Sequence, residues 1–246
     1  MNKLETIAII PARGGSKRIP NKNLEKIGDL TLVEHSIVAA LCVIIDGEPA
    51  FDQIIVSSDS EKILKDVEYY ADQHCRCSLH KRSPVAATDD ASDRDVVLDV
   101  LKEWDARLIV YLRPTTPMRS IEAVAGAITR MREVPDITGL RSVHEMSESY
   151  HKAFVMYPGN ILRTEFGLES VDYANNPNHY YPITYQPNGV VDIMRKSTLL
   201  LGMTYGDRVL GWITKPTIEI DTPHDLLMAR LWHAYCEGQT EIIKTR

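Results

Sequence analysis

Four basic side chains lie close together in one glycine-containing loop near the start of the chain: Arg13, Lys17, Arg18 and Lys22. This loop directly follows a short apolar run, Ile7–Ile10. Gly14 and Gly15 let backbone N–H groups approach phosphate oxygens, and Ser16 adds a hydroxyl donor. We therefore predict a triphosphate site, the alternative being a solvated basic turn. The spacing matches neither G-x-x-x-x-G-K-[ST] nor G-x-G-x-x-G, so neither a P-loop NTPase nor a dinucleotide-binding enzyme is indicated.

Two acidic residues near the other end of the chain are a second candidate for chemistry. Glu219 and Asp221 are two positions apart, and on a strand such residues point to the same face. Both carboxylates could then hold one Mg²⁺, which binds one or two carboxylates together with substrate phosphates. The alternative is that they charge a strand end and favour the N-terminus of the next helix. Thr222, Pro223 and Asp225 predict that this helix begins immediately after them.

The elements that must position these residues alternate along the chain. We predict strands at Ile7–Ile10, Ile54–Val56, Leu108–Leu112, Val190–Met194 and Val209–Ile213. We predict helices at Leu32–Val43, Glu61–Ala71, Ser92–Trp104 and Ser120–Arg132, and one that begins at Thr222. This order predicts a single Rossmann-like α/β fold, with a mostly parallel sheet and helices on both faces. Ligands of such sheets bind beyond the carboxyl ends of the strands, where the basic loop lies.

The segment 142–186 breaks this pattern. It is rich in Tyr, Asn, Pro, His and Ser and shows no clear helical periodicity. Six of its tyrosines are Tyr150, Tyr157, Tyr173, Tyr180, Tyr181 and Tyr185. Aromatic enrichment suits an interface core or a wall of a sugar site. We interpret the segment as an insertion that supplies a lid, a substrate wall or a dimerisation arm.

Length and composition limit the other possibilities. The chain has 246 residues, which favours one domain over 1–246, and its net charge of −6 argues against a general nucleic-acid binder. It contains no run of about 18 apolar residues and no apolar segment typical of a signal peptide. We therefore expect a soluble, cytoplasmic protein with no membrane partner. The four cysteines lack zinc-site spacing.

Five motifs, which together span nearly the whole chain, resemble those of a known family. They read IAIIPARGGSKRIPNKN, LRPTTPMR, EMSESYHKAF, PNGVVDI and IEIDTPHDL in chain order. In these motifs the chain resembles the acylneuraminate cytidylyltransferases, the CMP-sialic acid synthetase family that includes CMP-legionaminate and CMP-pseudaminate synthetases. The related Kdo cytidylyltransferases share the fold, but their first loop reads differently. The resemblance implies a nucleotide-diphospho-sugar transferase type of fold, with 142–186 as a dimerisation arm.

The resemblance also implies a reaction. CTP and a nonulosonic acid give a CMP-sugar and pyrophosphate, and the anomeric hydroxyl attacks the α-phosphorus in line. The implied partners are CTP, a nonulosonic acid and a second copy of the chain, and the implied cofactor is Mg²⁺. Two rivals remain open from the sequence: a glycosyltransferase that uses a nucleotide sugar, and a non-catalytic sensor of CTP or sugar.

Particular residues inherit roles from the resemblance. The phosphate-binding positions of the family correspond to Arg13, Ser16, Lys17, Lys22 and Asn23. Arg13, Lys22 and Asp221 are the implied catalytic residues, and Glu219 with Asp221 is the implied metal pair. Glu219 departs from the usual Asp-x-Asp pattern, and its extra methylene shifts the metal or inserts a water.

The base and sugar sides of the site carry further departures. Arg82, Ala91 and Asp93 fall where the family contacts cytosine and ribose, although Asp93 stands where relatives often have Ser. An alternative of equal weight is that Asp89 or Asp90 merely caps the helix at Ser92. The implied sugar contacts are Arg113, Lys152 and Asn188. Arg113 replaces a Gln of many sialate enzymes, and it could reach a polar substituent or brace its loop. This leaves room for a legionaminate-like substrate.

Overall fold

A central sheet of seven strands organises the protein. The computed structural model describes residues 4–164 and 170–244, and side chains as far as residue 238. The strands are β1 (Leu4–Pro11), β2 (Gln53–Ser58), β3 (Cys77–Lys81), β4 (Ala106–Tyr111), β5 (Gly139–Glu145), β6 (Tyr185–Arg195) and β7 (Val209–Ile213). Their order across the sheet is β7-β5-β6-β4-β1-β2-β3. Strand β6 runs antiparallel to both neighbours and the other pairs are parallel, so the predicted mostly parallel sheet is confirmed.

Helices cover both faces of this sheet, as predicted. They are α1 (Leu32–Cys42), α2 (Glu61–Asp66), α3 (Glu68–Gln73), α4 (Asp93–Val100), α5 (Ile121–Glu133), α6 (Lys196–Leu200) and α7 (Pro223–Lys244). The side chains of β1 alternate between two cores. Ala8 and Ile10 share one core with residues of α1 and α5, and Ile7 and Ile9 share the other with residues of α4 and α6. Burial on both faces explains why β1 reads as a continuous apolar run.

Local signals place most helix starts correctly. Thr222 and Asp225 form the predicted capping box of α7, since each side chain bonds the backbone N–H of the other. The single helix expected over Glu61–Ala71 is wrong. It is two short helices that meet at Val67, whose backbone leaves helical geometry at φ −105° and ψ 6° while its side chain packs into the core.

Two strands of the central sheet were not predicted from the sequence. Strand β3 carries Ser, His and Lys and lies at the edge of the sheet, so it lacks a clear apolar signal. Strand β5 contains Arg, Ser, His and Glu, and it overlaps the start of the predicted insertion. The irregular part of the chain therefore lies between Glu145 and Tyr185 rather than over the whole of 142–186.

This irregular part forms an exposed arm. Strands Phe154–Tyr157 and Ile161–Thr164 pair as an antiparallel hairpin. Short 3₁₀ turns occur at Tyr150–Lys152, Val171–Asn175 and Asn178–Tyr180. Every side chain of Phe154–Tyr157 is exposed, although all four are apolar or aromatic.

The placement of the acidic pair on a strand end is wrong. Residues 214–221 form neither strand nor helix. The Ile220 side chain is buried beneath α7 with Ile27 and Leu226, and the Ile220 N–H donates to the Thr115 carbonyl at 2.8 Å. The packing of Ile220 therefore fixes the backbone of residues 214–221, which lacks the hydrogen bonds of a strand pair.

In the described part of the chain, no helix is both long and apolar enough to cross a bilayer.

Candidate active site

A cleft of about 510 Å³ lies at the carboxyl edge of the sheet. Pro11 and Tyr111, the last residues of β1 and β4, line it, and so does Arg82, which directly follows β3. The cleft gathers most of the sequence-predicted site residues: Arg13, Ser16, Lys17, Lys22, Asn23, Arg82, Ala91, Asp93, Arg113 and Asp221. The expectation that strand ends would bring these distant segments together is therefore confirmed.

Two cations of the first loop, Arg13 and Lys17, bind one carboxylate. Asp89 accepts from Arg13 Nη1 at 3.0 Å and from Lys17 Nζ at 2.8 Å. The hydrogen bond from Lys17 and its charge hold the pKa of Asp89 below its usual value. Asp89 therefore acts as an internal counter-ion for the basic loop. Two cations that share one anionic oxygen pair are also suited to a phosphate oxygen pair.

The loop approaches its neighbours closely. The Gly14 N–H donates to Asp59 Oδ1 at 2.8 Å, and a Cβ on Gly14 would lie 2.8 Å from the Cβ of Ser60. A larger residue would push the loop away from β2, so glycine is required here by the close approach.

Lys22 joins the basic loop to the acidic segment. Its largely buried ammonium donates to the Ile220 carbonyl at 2.9 Å and to Asp221 Oδ1 at 3.0 Å. Asn23 is buried, and its side-chain amide donates to the Arg13 carbonyl at 2.8 Å. Asn23 therefore fixes the backbone that carries Arg13, in addition to lining the cleft.

The helix-cap alternative for the acidic residues near Ser92 is resolved. Ser92 itself caps α4, in a reciprocal capping box with Asp95. Neither Asp89 nor Asp90 is the cap residue. Asp93 lines the cleft, where its Oδ2 accepts from Arg113 Nη2 at 2.5 Å. Arg82 also lines the cleft, where Ser57 holds its guanidinium and burial lowers its pKa.

Arg113 is braced at the floor of the cleft. Besides Asp93, its guanidinium donates to the buried carboxylate of Asp192 and lies 5.0 Å above the Tyr111 ring. Burial alone lowers the pKa of Arg113, but the charges of Asp192 and Asp93 outweigh it and raise that pKa above its ordinary value. These contacts tie Arg113 to α4 and β6, and its role as a sugar contact stays a prediction.

Two buried residues that bond Arg113 were missed by sequence reasoning, Asp192 and Arg119. Asp192 also accepts from Arg141 Nε at 3.4 Å and from the Tyr205 hydroxyl at 3.1 Å. An Asp flanked by apolar residues in a buried strand was the available signal, because it must find partners. Arg119 is buried too and donates to the Val190 carbonyl at 2.6 Å, and burial lowers its pKa to about 9.

Glu219 and Asp221 occupy different surroundings. Asp221 lines the cleft, whereas Glu219 is half-buried and its Oε1 lies 3.2 Å from where a Cβ on Gly189 would sit. Burial first, and then the charge of Asp221, raise the pKa of Glu219. Two such carboxylates repel one another, and a divalent cation would relieve that repulsion, so this donor pair fits Mg²⁺. Across residues 4–164 and 170–238, no three Asp, Glu, His or Cys side chains form a metal-binding group.

The remaining predicted sugar contacts lie outside the cleft. Lys152 lines a second pocket of about 400 Å³ on the arm, where it pairs with Glu148 at 3.2 Å. Asn188 is buried, and its amide donates to Thr214 Oγ1 at 2.7 Å. Their roles as sugar contacts stay predictions.

Together, the fold and the cleft define an α/β nucleotidyltransferase, with a basic loop facing an acidic segment across a nucleotide-sized space. Residues 7–158 match the sequence model of the family described as cytidylyltransferase. The chain therefore belongs to the cytidylyltransferase family, and the resemblance drawn from the motifs is confirmed.

Curated relatives narrow the comparison. The chain is 29% identical over 236 residues to the CMP-N,N'-diacetyllegionaminic acid synthase of Legionella pneumophila, covering 90% of this chain and 93% of that protein. It is 28% identical to the N-acylneuraminate cytidylyltransferase of Escherichia coli, over 80% of this chain and 44% of that protein.

Solved structures support the fold. One is CMP:2-keto-3-deoxy-manno-octonic acid synthetase complexed with CTP, with a TM-score of 0.69 and 18% identity. The match covers 94% of this chain and 99% of that chain. Another is the 4-diphosphocytidyl-2C-methyl-D-erythritol synthase of Anaerococcus prevotii, with a TM-score of 0.59 and 16% identity over 93% of this chain and 95% of that one.

Proposed function

We propose that this enzyme transfers CMP from CTP to an acidic sugar of the nonulosonic type and releases pyrophosphate. The observation that carries the proposal is the ion pair between Lys22 and Asp221, which connects the cationic loop to the acidic segment across one cleft. Family membership supports the cytidylyl transfer, and the names of the relatives support the sugar class. In this proposal CTP binds in the cleft, and we expect the enzyme to act in the cytoplasm.

The triphosphate lies along the first loop in this proposal. Arg13 and Lys17 exchange Asp89 for phosphate oxygens, and Ser16 adds a hydroxyl donor. Lys22 stands between the phosphates and Asp221, so its charge stabilises the negative charge that develops as the α-phosphorus is attacked. Such charge-assisted contacts need no covalent intermediate with the protein.

A magnesium ion would be held by Asp221, with Glu219 beside it. When bound, it would neutralise phosphate charge and polarise the α-phosphate. The protein's own contribution is to keep both carboxylates near the triphosphate, by packing Ile220 beneath α7 and by bonding the Ile220 carbonyl to Lys22.

The nucleoside end is assigned to the wall formed by Arg82, Ala91 and Asp93. A carboxylate can accept from the amino group of cytosine, which uracil lacks. Asp93 bonds Arg113 and the Tyr111 hydroxyl, and because a carboxylate offers about four lone-pair sites, acceptor capacity remains for such a contact. This arrangement supports a preference for CTP over UTP.

A homodimer completes the site in this proposal. The hairpin formed by Phe154–Tyr157 and Ile161–Thr164 exposes apolar side chains on both strands, and a two-stranded hairpin alone is marginally stable. A second copy covering the hairpin would bury them and would bring Lys152 toward the partner's cleft. Met156→Glu should produce monomers with low activity in sedimentation and turnover measurements, whereas Tyr69→Glu, an equally exposed site on α3, should leave a dimer.

Pyrophosphate release tests the reaction. The enzyme is incubated with CTP and N-acetylneuraminate, legionaminate, pseudaminate or Kdo, each with and without Mg²⁺. We expect metal-dependent release with one nonulosonate. Binding of CTP without release would identify a sensor, and transfer from a ready-made CMP-sugar to an acceptor would identify a glycosyltransferase.

A further inference from the structure

A chain of buried polar groups leads away from the cleft behind Arg82. Ser57 and His80 are register partners on β2 and β3, and both are buried. Ser57 Oγ lies 3.1 Å from His80 Nδ1. The same hydroxyl accepts from Arg82 Nε at 3.1 Å, while Arg82 Nη2 donates to the Ser57 carbonyl at 3.1 Å. Ser57 therefore connects His80 to a guanidinium that lines the nucleotide cleft.

The far side of His80 faces two carboxylates. His80 Nε2 lies 3.7 Å from Asp99 Oδ2 and 3.6 Å from Glu103 Oε1. Asp99 is itself fixed, because it accepts from the Ser83 N–H at 2.7 Å and from Lys102 Nζ at 2.8 Å. The edge of the His80 ring also packs against Trp104. The imidazole is thus held on both sides.

The donors and acceptors among Arg82, Ser57 and His80 can be assigned from hydrogen-bond chemistry. Arg82 Nε can only donate, so it uses one lone pair of Ser57 Oγ. His80 Nε2 faces the carboxylates of Asp99 and Glu103, which favour a proton on that nitrogen in the neutral ring. We therefore assign His80 Nδ1 as the acceptor of the Ser57 hydroxyl proton.

Neutral His80 is also favoured by its surroundings. Burial lowers the pKa of His80; Glu103 and Asp99 oppose that shift, whereas Arg82 and Lys102 add to it. Protonated His80 would donate from Nδ1 and turn the Ser57 proton away. It would also place a second positive charge beside Arg82.

We propose that His80 is a positioning residue for the nucleotide, which acts through Ser57 to fix the Arg82 guanidinium in the cleft. The inference rests on the proposed function, since it assigns Arg82 to CTP. It predicts that acidic solution weakens CTP binding when His80 becomes protonated.

Three variants and one control test it. His80→Leu and Ser57→Ala each remove the hydrogen bond between Ser57 and His80. Each should raise the KM for CTP about tenfold, the effect expected from the loss of one hydrogen bond, with kcat nearly unchanged. His80→Asn keeps an acceptor near the Nδ1 position and cannot titrate, so it should retain a low KM. His74→Leu replaces an exposed histidine just before β3 and should change nothing.

A double-mutant cycle and a pH series separate positioning from general damage. In an Arg82→Ala background, His80→Leu should have no further effect on the KM for CTP. In the unmutated enzyme, the KM for CTP should rise as the pH falls through the lowered pKa of His80, which lies below the ordinary histidine value of about 6.5. The His80→Asn profile should stay flat over that range.

Several results would overturn the inference: an unchanged KM in His80→Leu, effects that add in the Arg82→Ala background, or an acid-side rise in KM that persists in His80→Asn. If His80→Leu does not fold, Ser57→Ala and His80→Asn decide the question alone. Calorimetric titration with CTP separates this failure from failure of the proposed function. An enzyme that never binds CTP refutes both, whereas normal CTP binding in every His80 and Ser57 variant refutes only the positioning role.

Discussion

Replacing Arg113 by Gln tests whether this side chain is a brace. Its side chain is 21% exposed, and it pairs with the Asp192 carboxylate, which is 1% exposed. Removing one partner of a buried ion pair costs about 3–5 kcal/mol, because the other charge is left without compensation. Arg141 and Tyr205 also contact Asp192, so we expect the lower end of that range, about 3 kcal/mol. For a chain of this length, that corresponds to a fall in Tm of about 6–12 °C.

The assay is thermal unfolding followed by circular dichroism at neutral pH without ligands. Arg107→Gln is the matched control, because its ion pair with Glu5 is 64% and 55% exposed. Such surface pairs contribute about 1 kcal/mol or less, so the control Tm should fall by no more than about 4 °C. Adding Asp192→Asn to Arg113→Gln should restore part of the loss, because the unpaired charge is removed. A Tm for Arg113→Gln within about 2 °C of the unmutated protein would refute the brace and leave Arg113 free for the sugar.

Three further predictions address the metal site, the sugar and the pH dependence of stability. Asp221→Asn should lower turnover by orders of magnitude because it would remove the proposed metal ligand; normal turnover in the folded variant would remove Asp221 from the mechanism. Lys152→Ala should raise the KM for the sugar far more than that for CTP, and steady-state kinetics showing equal effects on both would contradict the assignment. Burial lowers the pKa of His35 below its ordinary 6.5, so the unfolded chain binds the proton more readily. The unfolding free energy should therefore be largest above pH 6.5 and fall as the pH drops from 6.5 to the lowered pKa, with a smaller slope in His35→Gln. An unchanged slope in urea titrations would contradict this.

The fold was predictable where the signals are local. The apolar run of β1 and the Thr222 capping box each depend on neighbours within a few residues, and both are confirmed. Strand β3 was missed because its polar side chains, His80 among them, are satisfied by partners on other elements. No local pattern reveals such a partner.

The site divides in the same way. The gathering of Arg13, Lys22 and Arg82 follows from the rule that the strands of a parallel sheet end at one edge. The pairing of Asp89 with Arg13, and of Asp192 with Arg113, joins residues 76 and 79 positions apart and had no sequence signal of its own. The strand assumed at Glu219 was wrong because tertiary packing of Ile220 sets the backbone there.

The transfer of CMP to the sugar oxygen is tested most directly by the fate of that oxygen. A nonulosonic acid labelled with ¹⁸O at its anomeric hydroxyl is incubated with CTP, Mg²⁺ and the enzyme, and the products are analysed by mass spectrometry and ³¹P NMR. The account predicts a CMP-sugar that keeps the label between sugar and α-phosphorus, together with unlabelled pyrophosphate. Label in pyrophosphate, or CTP that remains intact with every sugar of the panel, would contradict it.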